Sequence, residues 1–170
     1  MILKNLHHRL RLFRQLWLLA WRYDVLVEKG VTVKYVDTVS FGRRCTLQSG
    51  VYVYGSRRGN RVQVGDFVAI GAGGMLLGEG GLSIGDYTHF GPRVVVTTQY
   101  GDAESDMCQE EAVLKYAPVK LGRGCWIGAG AVIMPGTVLG ERCIVAPNSV
   151  VFGSWGDRIS LAGNPARRRG

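Results

Sequence analysis

The chain offers few imidazole groups that could act as a general base. His89 is the only histidine inside the regular part of the sequence, whereas His7 and His8 lie near its start. An imidazole is suited to taking a proton from a hydroxyl group near neutral pH. His89 precedes Phe90, which is expected to face the interior, so the histidine should point outward. His89 is therefore a candidate base, and a surface or subunit-interface histidine is the alternative.

A second set of proton-transfer candidates lies in an acidic stretch between residues 97 and 119. Its carboxylates are Asp102, Glu104, Asp106, Glu110 and Glu111. A carboxylate acts as a base near neutral pH only when burial raises its pKa. The alternative is a solvated acidic loop, so Asp102 is a catalytic candidate on chemical grounds alone.

Metal and disulfide chemistry is not indicated. The cysteines show no CxxC spacing, and the regular region has too few histidines for a three-histidine metal site. The four cysteines are Cys45, Cys108, Cys125 and Cys143. We expect no metal, and a reducing compartment such as the cytoplasm.

The formal net charge is +8 over 170 residues. Such a charge favours an anionic partner, which can be a phosphate-bearing cofactor, an anionic lipid surface or a nucleic acid. The chain has no recognisable nucleic-acid-binding motif, so we expect no nucleic-acid partner.

The elements that must position these groups follow from a repeat of six residues. An aliphatic residue recurs at every sixth position, most regularly at Leu121, Ile127, Ile133, Leu139, Val145 and Val151. Neither a helix nor an ordinary strand explains a period of six. The pattern predicts a solenoid of very short strands, with the aliphatic residues inside and small residues in the corners. Three interruptions leave this pattern: residues 55 to 61, interpreted as a short hairpin, the four residues 78 to 81, interpreted as a minor slip of the repeat, and the long loop 97 to 119.

Residues 1 to 27 have the spacing of an amphipathic helix, with Leu3, Leu6, Leu10, Phe13 and Trp17 on one face. The apolar run from residue 16 to 21 is too short to span a bilayer, and no signal peptide is predicted. The helix can cap the open first coil. Alternatively, it can bind the inner membrane surface peripherally. We predict an N-terminal segment 1 to 30, a repeat domain 31 to 170 and a tail from residue 164.

The runs "VQVGDFVAIGAGG", "CWIGAGAVIMPGTVLG" and "LAGNPARRR" resemble the hexapeptide-repeat acyltransferases. The similarity covers roughly residues 31 to 170 and is greatest to the maltose, galactoside and colanic-acid O-acetyltransferase branch. The resemblance implies an all-β, left-handed parallel β-helix and a homotrimer. It also implies that acetyl-CoA binds between neighbouring subunits.

The resemblance also implies roles for individual positions. The family's general-base histidine falls at Gly101, while the neighbouring Asp102 is retained. The positions that contact coenzyme A in the family are Trp126, Ala129, Pro147 and Arg167. Proline at position 147 has no N–H to donate.

Two functions are therefore compatible with the sequence. The first is CoA-dependent O- or N-acetyl transfer to a sugar of a surface-polysaccharide precursor, with His89 or Asp102 replacing the missing histidine. The second is a catalytically inactive trimeric scaffold that binds or assembles other proteins.

Overall fold

A computed structural model describes residues 24–105, 108 and 113–170. Short parallel strands stack along one axis into three long sheets, because each coil contributes one strand to each sheet in turn. Sheet A contains β1 (Leu26–Val27), β4 (Thr46–Leu47), β7 (Ala69–Ile70), β10 (His89–Phe90), β15 (Trp126–Ile127), β18 (Ile144–Val145), β21 (Ser160–Gly163) and β22 (Ala166–Arg169).

The other two long sheets contain six strands each. Sheet B contains β2 (Thr32–Lys34), β5 (Tyr52–Tyr54), β8 (Met75–Leu77), β11 (Val95–Thr97), β16 (Val132–Ile133) and β19 (Val150–Val151). Sheet C contains β3 (Val39–Phe41), β6 (Val62–Val64), β9 (Leu82–Ile84), β14 (Val119–Leu121), β17 (Val138–Leu139) and β20 (Ser154–Trp155). A 3-10 helix spans Val36–Thr38. The expected left-handed parallel β-helix, of about six coils, is confirmed as the fold class.

Three corners separate the sheets, and we name each corner by the two sheets that it joins in chain order. The long loop leaves from the B–C corner after Thr97 and rejoins the solenoid at Val119. It begins and ends as a two-stranded antiparallel hairpin of β12 (Gln99–Gly101) and β13 (Leu114–Tyr116). Residues 55 to 61 also lie at this corner, where they form a turn without paired strands and not the expected hairpin.

The core is the column of residues that the repeat predicts. Ile127, Ile133 and Val145 have no exposed surface, and Leu139 is 2% exposed. The small residues two positions before them are also buried, so they fill the corners as expected. Burial raises the pKa of one of these, Cys125, to about 11, and its thiol therefore stays protonated at physiological pH.

The outward faces of sheets B and C differ in polarity. The outward column of sheet C is mostly polar: five of its six positions are exposed polar residues, and the sixth is the half-buried Val138. The polar positions are Ser40, Gln63, Ser83, Lys120 and Ser154. The matching column of sheet B is mostly apolar: after Thr32 in the first coil, Tyr52, Met75, Val95, Val132 and Val150 lie in register along the axis. Sheet C therefore suits contact with water, and sheet B suits contact with protein.

The N-terminal helix expected over residues 1 to 27 falls mostly outside the described residues. Leu26–Val27 pairs with Thr46–Leu47 in the first coil, and the division between residues 30 and 31 stays a prediction. In the part of the chain that the structure describes, no helix is both long and apolar enough to cross a bilayer.

Candidate functional site

The outward face of sheet A places the candidate histidine beside the candidate donor-binding tryptophan. His89 and Trp126 are register partners on adjacent coils, and Ile144 is the next partner along the axis. The His89 and Trp126 ring centroids are 6.0 Å apart. All three side chains are exposed, Trp126 to 56% and Ile144 to 52%. An exposed indole and an isoleucine beside an imidazole form a surface that can bind an apolar chain next to a proton acceptor.

The A–B corner continues this surface along the axis. Ala129 and Pro147 are exposed on successive coils. The N–H of Asn148 donates to the Ala129 carbonyl at 2.9 Å, and that of Gly130 donates to the Pro92 carbonyl at 2.9 Å. The first of these hydrogen bonds stacks the Pro147 turn on the Ala129 turn, and the second stacks the Ala129 turn on the Pro92 turn, so Ala129 and Pro147 lie on one rigid corner.

The C-terminal arginines extend the same face. Strand β22 pairs antiparallel with β21, which places Arg167 opposite Ala162 and Arg169 opposite Ser160. Ser160 is in turn the register partner of Ile144. Since directly paired residues point to the same side of a sheet, Arg167 and Arg169 lie on the outward face of sheet A.

The four positions Trp126, Ala129, Pro147 and Arg167 therefore share one side of the solenoid.

Asp102 lies elsewhere, at the end of the hairpin that leaves the B–C corner. Its N–H donates to the Val113 carbonyl at 2.9 Å, and its Oδ1 lies 2.8 Å from Lys115 Nζ. The hydrogen bond from Lys115 lowers the pKa of the Asp102 carboxyl group. A carboxylate stabilised in its charged form is a weaker proton acceptor, so the geometry does not favour Asp102 as a base.

Within one chain, the two groups of candidates are not brought together. Sheet A carries His89 and Trp126, and it forms the side of the solenoid opposite the B–C corner from which Gly101 and Asp102 project. A site that used both groups would need the loop of a second copy of the chain.

An apolar groove of about 290 Å³ lies at the base of the loop. It is lined by Tyr100, Ala117, Met134, Pro135 and Phe152. Tyr100 is 46% exposed and Phe152 is 48% exposed. One signal for this groove is present in the sequence, because Phe152 is a large aromatic residue at an outward position directly after the interior residue Val151.

The described residues contain no group of three or more histidine, cysteine, aspartate or glutamate side chains arranged to hold a metal ion.

We expect the Asp102–Lys115 ion pair to hold the base of the hairpin together. The pKa of Asp102 is lowered and that of Lys115 is raised. The pair is therefore fully formed above the ordinary carboxyl pKa of about 3.9 and below the ordinary lysine pKa of about 10.4. Its stabilisation is lost as pH falls through the lowered pKa of Asp102 or rises through the raised pKa of Lys115.

In Asp102→Asn, the hairpin amides should exchange with solvent faster than in the parent at pH 6 and at pH 8, measured by NMR hydrogen exchange. Glu104→Gln is the matched control, because Glu104 is 89% exposed and contacts Lys115 at the longer distance of 3.4 Å. Equal exchange rates in Asp102→Asn and the parent would show that the ion pair does not organise the hairpin.

The comparisons with known proteins agree with this architecture. Residues 118–153 match the family described as bacterial transferase hexapeptide (six repeats). Residues 118–153 therefore carry the hexapeptide repeat of that family. This hexapeptide-repeat chain is 36% identical over 110 residues to nodulation protein L of Rhizobium leguminosarum bv. viciae, covering 64% of the chain and 57% of that protein. It is 27% identical over 143 residues to the putative lipopolysaccharide biosynthesis O-acetyl transferase WbbJ of Escherichia coli K12, covering 76% and 70%.

Among solved structures, the hexapeptide-repeat chain is similar to AntD, an N-acyltransferase from Bacillus cereus in complex with dTDP and 3-hydroxybutyryl-CoA. The TM-score is 0.74 at 23% identity, covering 86% of this chain and 79% of that one. At this identity the similarity concerns the fold. The hexapeptide-repeat chain spans 57% of the length of the Rhizobium leguminosarum relative.

Proposed function

We propose that the protein is an acyltransferase that moves an acyl group, such as acetyl, from coenzyme A to a hydroxyl or amine of a sugar in a surface-polysaccharide precursor. The observation that carries this proposal is the pairing of exposed Trp126 with His89 on a face that continues to Arg167. The relatives named as O-acetyl transferase and N-acyltransferase support the reaction class.

The residues on this face fit acyl-CoA. Trp126 and Ile144 offer exposed apolar surface for the pantetheine chain. Arg167 and Arg169 offer cations for the phosphates, and the planar guanidinium suits phosphate oxygens. Ala129 and Pro147 lie on the adjoining A–B corner, where proline provides shape but no N–H donor.

Bound acyl-CoA supplies the acyl group as an activated thioester. The protein must then remove a proton from the attacking oxygen, and His89 is the described side chain best placed to do so beside Trp126. Asp102 is disfavoured because its carboxylate is engaged by Lys115. An amine acceptor that arrives neutral would depend less on the base than a hydroxyl acceptor does.

We further propose that the working protein is a homotrimer. The apolar outward column of sheet B gives each subunit a face that favours burial against its neighbours, while the polar column of sheet C faces solvent. In such an assembly, the loop of one subunit can approach sheet A of the next. Assembly would then complete a site that a single chain leaves divided between two sides of the solenoid.

A second candidate function, a catalytically inactive trimeric scaffold, is favoured by two observations. Glycine occupies position 101, where the resembling enzymes carry histidine, and the adjacent Asp102 is held in an ion pair. If the donor surface is intact and only the base is missing, Gly101→His should introduce measurable acetyl transfer. Failure of the parent and of Gly101→His to bind acetyl-CoA would favour the scaffold.

Cytoplasmic location and peripheral membrane contact through residues 1 to 27 stay predictions.

The donor surface is tested by calorimetric titration of acetyl-CoA into the assembled protein. We expect binding in the micromolar range, weakened about tenfold or more in Arg167→Gln because a charge-assisted contact with phosphate is lost. Trp126→Ala should weaken binding by a similar factor. Lys120→Gln is the control, because it removes one positive charge from the polar face of sheet C. The proposal fails if acetyl-CoA does not bind, or if Lys120→Gln has the same effect as Arg167→Gln.

A further inference from the structure

The turn at residues 55 to 61 is held in place by several hydrogen bonds, and it carries three arginines. Ser56 is 3% exposed, and its hydroxyl donates to the Glu79 carbonyl at 3.1 Å. The same hydroxyl oxygen accepts hydrogen bonds from the N–H groups of Arg58 and Asn60. The Asn60 side chain also donates to the Glu79 carbonyl, at 2.8 Å. These contacts fix the backbone from which Arg57, Arg58 and Arg61 project.

A buried carboxylate lies beneath two of these arginines. The side chain of Glu79 is only 2% exposed, and its Oε2 accepts a hydrogen bond from the Arg57 N–H at 3.2 Å. Its Oε1 is buried and has no hydrogen-bond partner in the part of the chain that the structure describes. Arg57 Nε lies 3.8 Å and Arg58 Nε lies 4.0 Å from that oxygen, beyond hydrogen-bond distance. The Glu79 carboxylate thus attracts both guanidinium groups by charge, but it accepts no hydrogen bond from either of them.

Both guanidinium groups remain available to solvent. The side chains of Arg57 and Arg58 are 62% and 61% exposed. Burial and a hydrogen bond with Tyr35 raise the pKa of the nearby Tyr54 to about 12, so this phenol adds no negative charge beside Arg57. Two guanidinium groups therefore face a single carboxyl group at this turn. Two neighbouring guanidinium groups with solvent-exposed N–H donors can together bind an anion above the buried carboxylate.

The arginine pair borders the long loop. Arg58 lies over the ring of Tyr116, with its guanidinium carbon 4.4 Å from the ring centroid. Tyr116 pairs with Gln99 in the hairpin that also carries Tyr100. The root of the loop is tied to the same corner, because the Gly80 N–H donates to Thr98 Oγ1 at 2.8 Å. A ligand held by Arg57 and Arg58 would therefore lie next to the loop.

We propose that Arg57 and Arg58 bind the phosphate groups of a phosphate-bearing sugar acceptor. Two adjacent forks match two adjacent phosphates better than a single carboxylate, which needs only one fork. Glu79 and Tyr116 are positioning residues, because they hold the arginines in place and leave the outer donors free. The acceptor assignment rests on the proposed transferase function, whereas the anion site itself does not.

The probe is inorganic pyrophosphate, titrated into the full chain at fixed ionic strength and followed by NMR chemical shifts. We expect Arg57→Gln and Arg58→Gln each to weaken binding about tenfold, the usual effect of losing a charge-assisted hydrogen bond. Arg123→Gln is the matched control. Arg123 also lies over a tyrosine ring, at 5.0 Å from the Tyr87 centroid, but among the described residues no buried carboxylate forms an ion pair with it. Its replacement should leave pyrophosphate binding unchanged.

Four results would overturn the proposal. Equal weakening in Arg123→Gln would show non-specific attraction, and loss in Arg167→Gln alone would place pyrophosphate on the donor surface. Dissociation of the assembled protein in Arg57→Gln or Arg58→Gln, seen by light scattering, would show that the arginines contact a second copy of the chain. Glucuronate binding as strongly as pyrophosphate would contradict the phosphate assignment. Because acetyl-CoA binding is measured separately, failure of the transferase function and failure of this anion site give different results.

Discussion

Replacing His89 by glutamine should lower the rate of acyl transfer from acetyl-CoA by about 100- to 10,000-fold, the range typical for loss of a positioned general base. Glutamine retains hydrogen-bonding groups and similar bulk but cannot take up a proton near neutral pH. The measurement is the release of free thiol from acetyl-CoA in the presence of a pool of candidate sugar acceptors. The loss should appear mainly in kcat, because His89 is proposed to act on the acceptor proton and not to hold the donor.

The control for this variant is its affinity for acetyl-CoA. His89 is exposed on the surface of sheet A, where its replacement leaves the buried neighbours Phe90 and Ile127 in place. Acetyl-CoA titration should therefore give nearly the parent affinity. An unchanged transfer rate in His89→Gln would remove His89 from the mechanism. A loss of acetyl-CoA affinity in proportion to the loss of rate would instead make His89 a binding residue.

The pH dependence separates these two roles further. A general base must be unprotonated to act, so the rate in the parent should fall as pH decreases through the pKa of that base. This acidic limb should be absent from the residual activity of His89→Gln. If the limb persists unchanged, another group carries the proton.

The fold was predictable because its information is local. Every sixth residue is predicted to face the interior, and Ile127, Ile133 and Val145 are indeed buried in the structure. The small residues at Cys125 and Cys143 are explained in the same way, since a larger side chain would not fit the corner. Periodicity identifies such positions well because every coil repeats the same environment.

The candidate site was less accessible to sequence reasoning because its contacts join positions with no fixed spacing. Lys115 engages Asp102 across the hairpin, and that partner depends on the register between two short strands. Glu79 lies in a four-residue interruption of the repeat, yet the structure buries it beneath Arg57 and Arg58. The proximity of His89 and Trp126, 37 positions apart in sequence, depends on the long loop being excluded from the coil.

Replacing Gly122 by alanine should destabilise the protein by about 3 kcal/mol or more, at the upper end of the usual cost of overpacking. Gly122 follows β14 at the C–A corner. A Cβ there would lie 2.5 Å from both the carbonyl carbon and the carbonyl oxygen of Gly140, and 2.7 Å from the Glu141 nitrogen. All three atoms belong to the backbone of the next coil, so no side chain can rotate away to make room.

The solenoid cannot relieve this clash cheaply. The Gly122 N–H donates to the Leu139 carbonyl at 2.8 Å, and the nearby Lys120 N–H donates to the Thr137 carbonyl at 2.9 Å. Separating the two coils enough to admit a methyl group would stretch these hydrogen bonds and open the interior at Leu121 and Leu139. Packed interiors lose stability when even one methylene group is forced into them.

Gly156→Ala is the matched control for this prediction. A Cβ at Gly156 meets only the Ile159 side chain, at 3.9 Å, and this glycine is exposed. Its replacement should change stability by less than about 1 kcal/mol, because the added methyl group enters open space and alanine restricts the unfolded chain slightly.

Both variants are compared with the parent by thermal unfolding at one protein concentration, since assembly makes the midpoint depend on concentration. For a chain of this size, we expect the midpoint of Gly122→Ala to fall by roughly 6–12 °C. Equal midpoints for the two variants would mean that the coil stack yields at the C–A corner, and that close backbone contact does not determine where this repeat requires glycine.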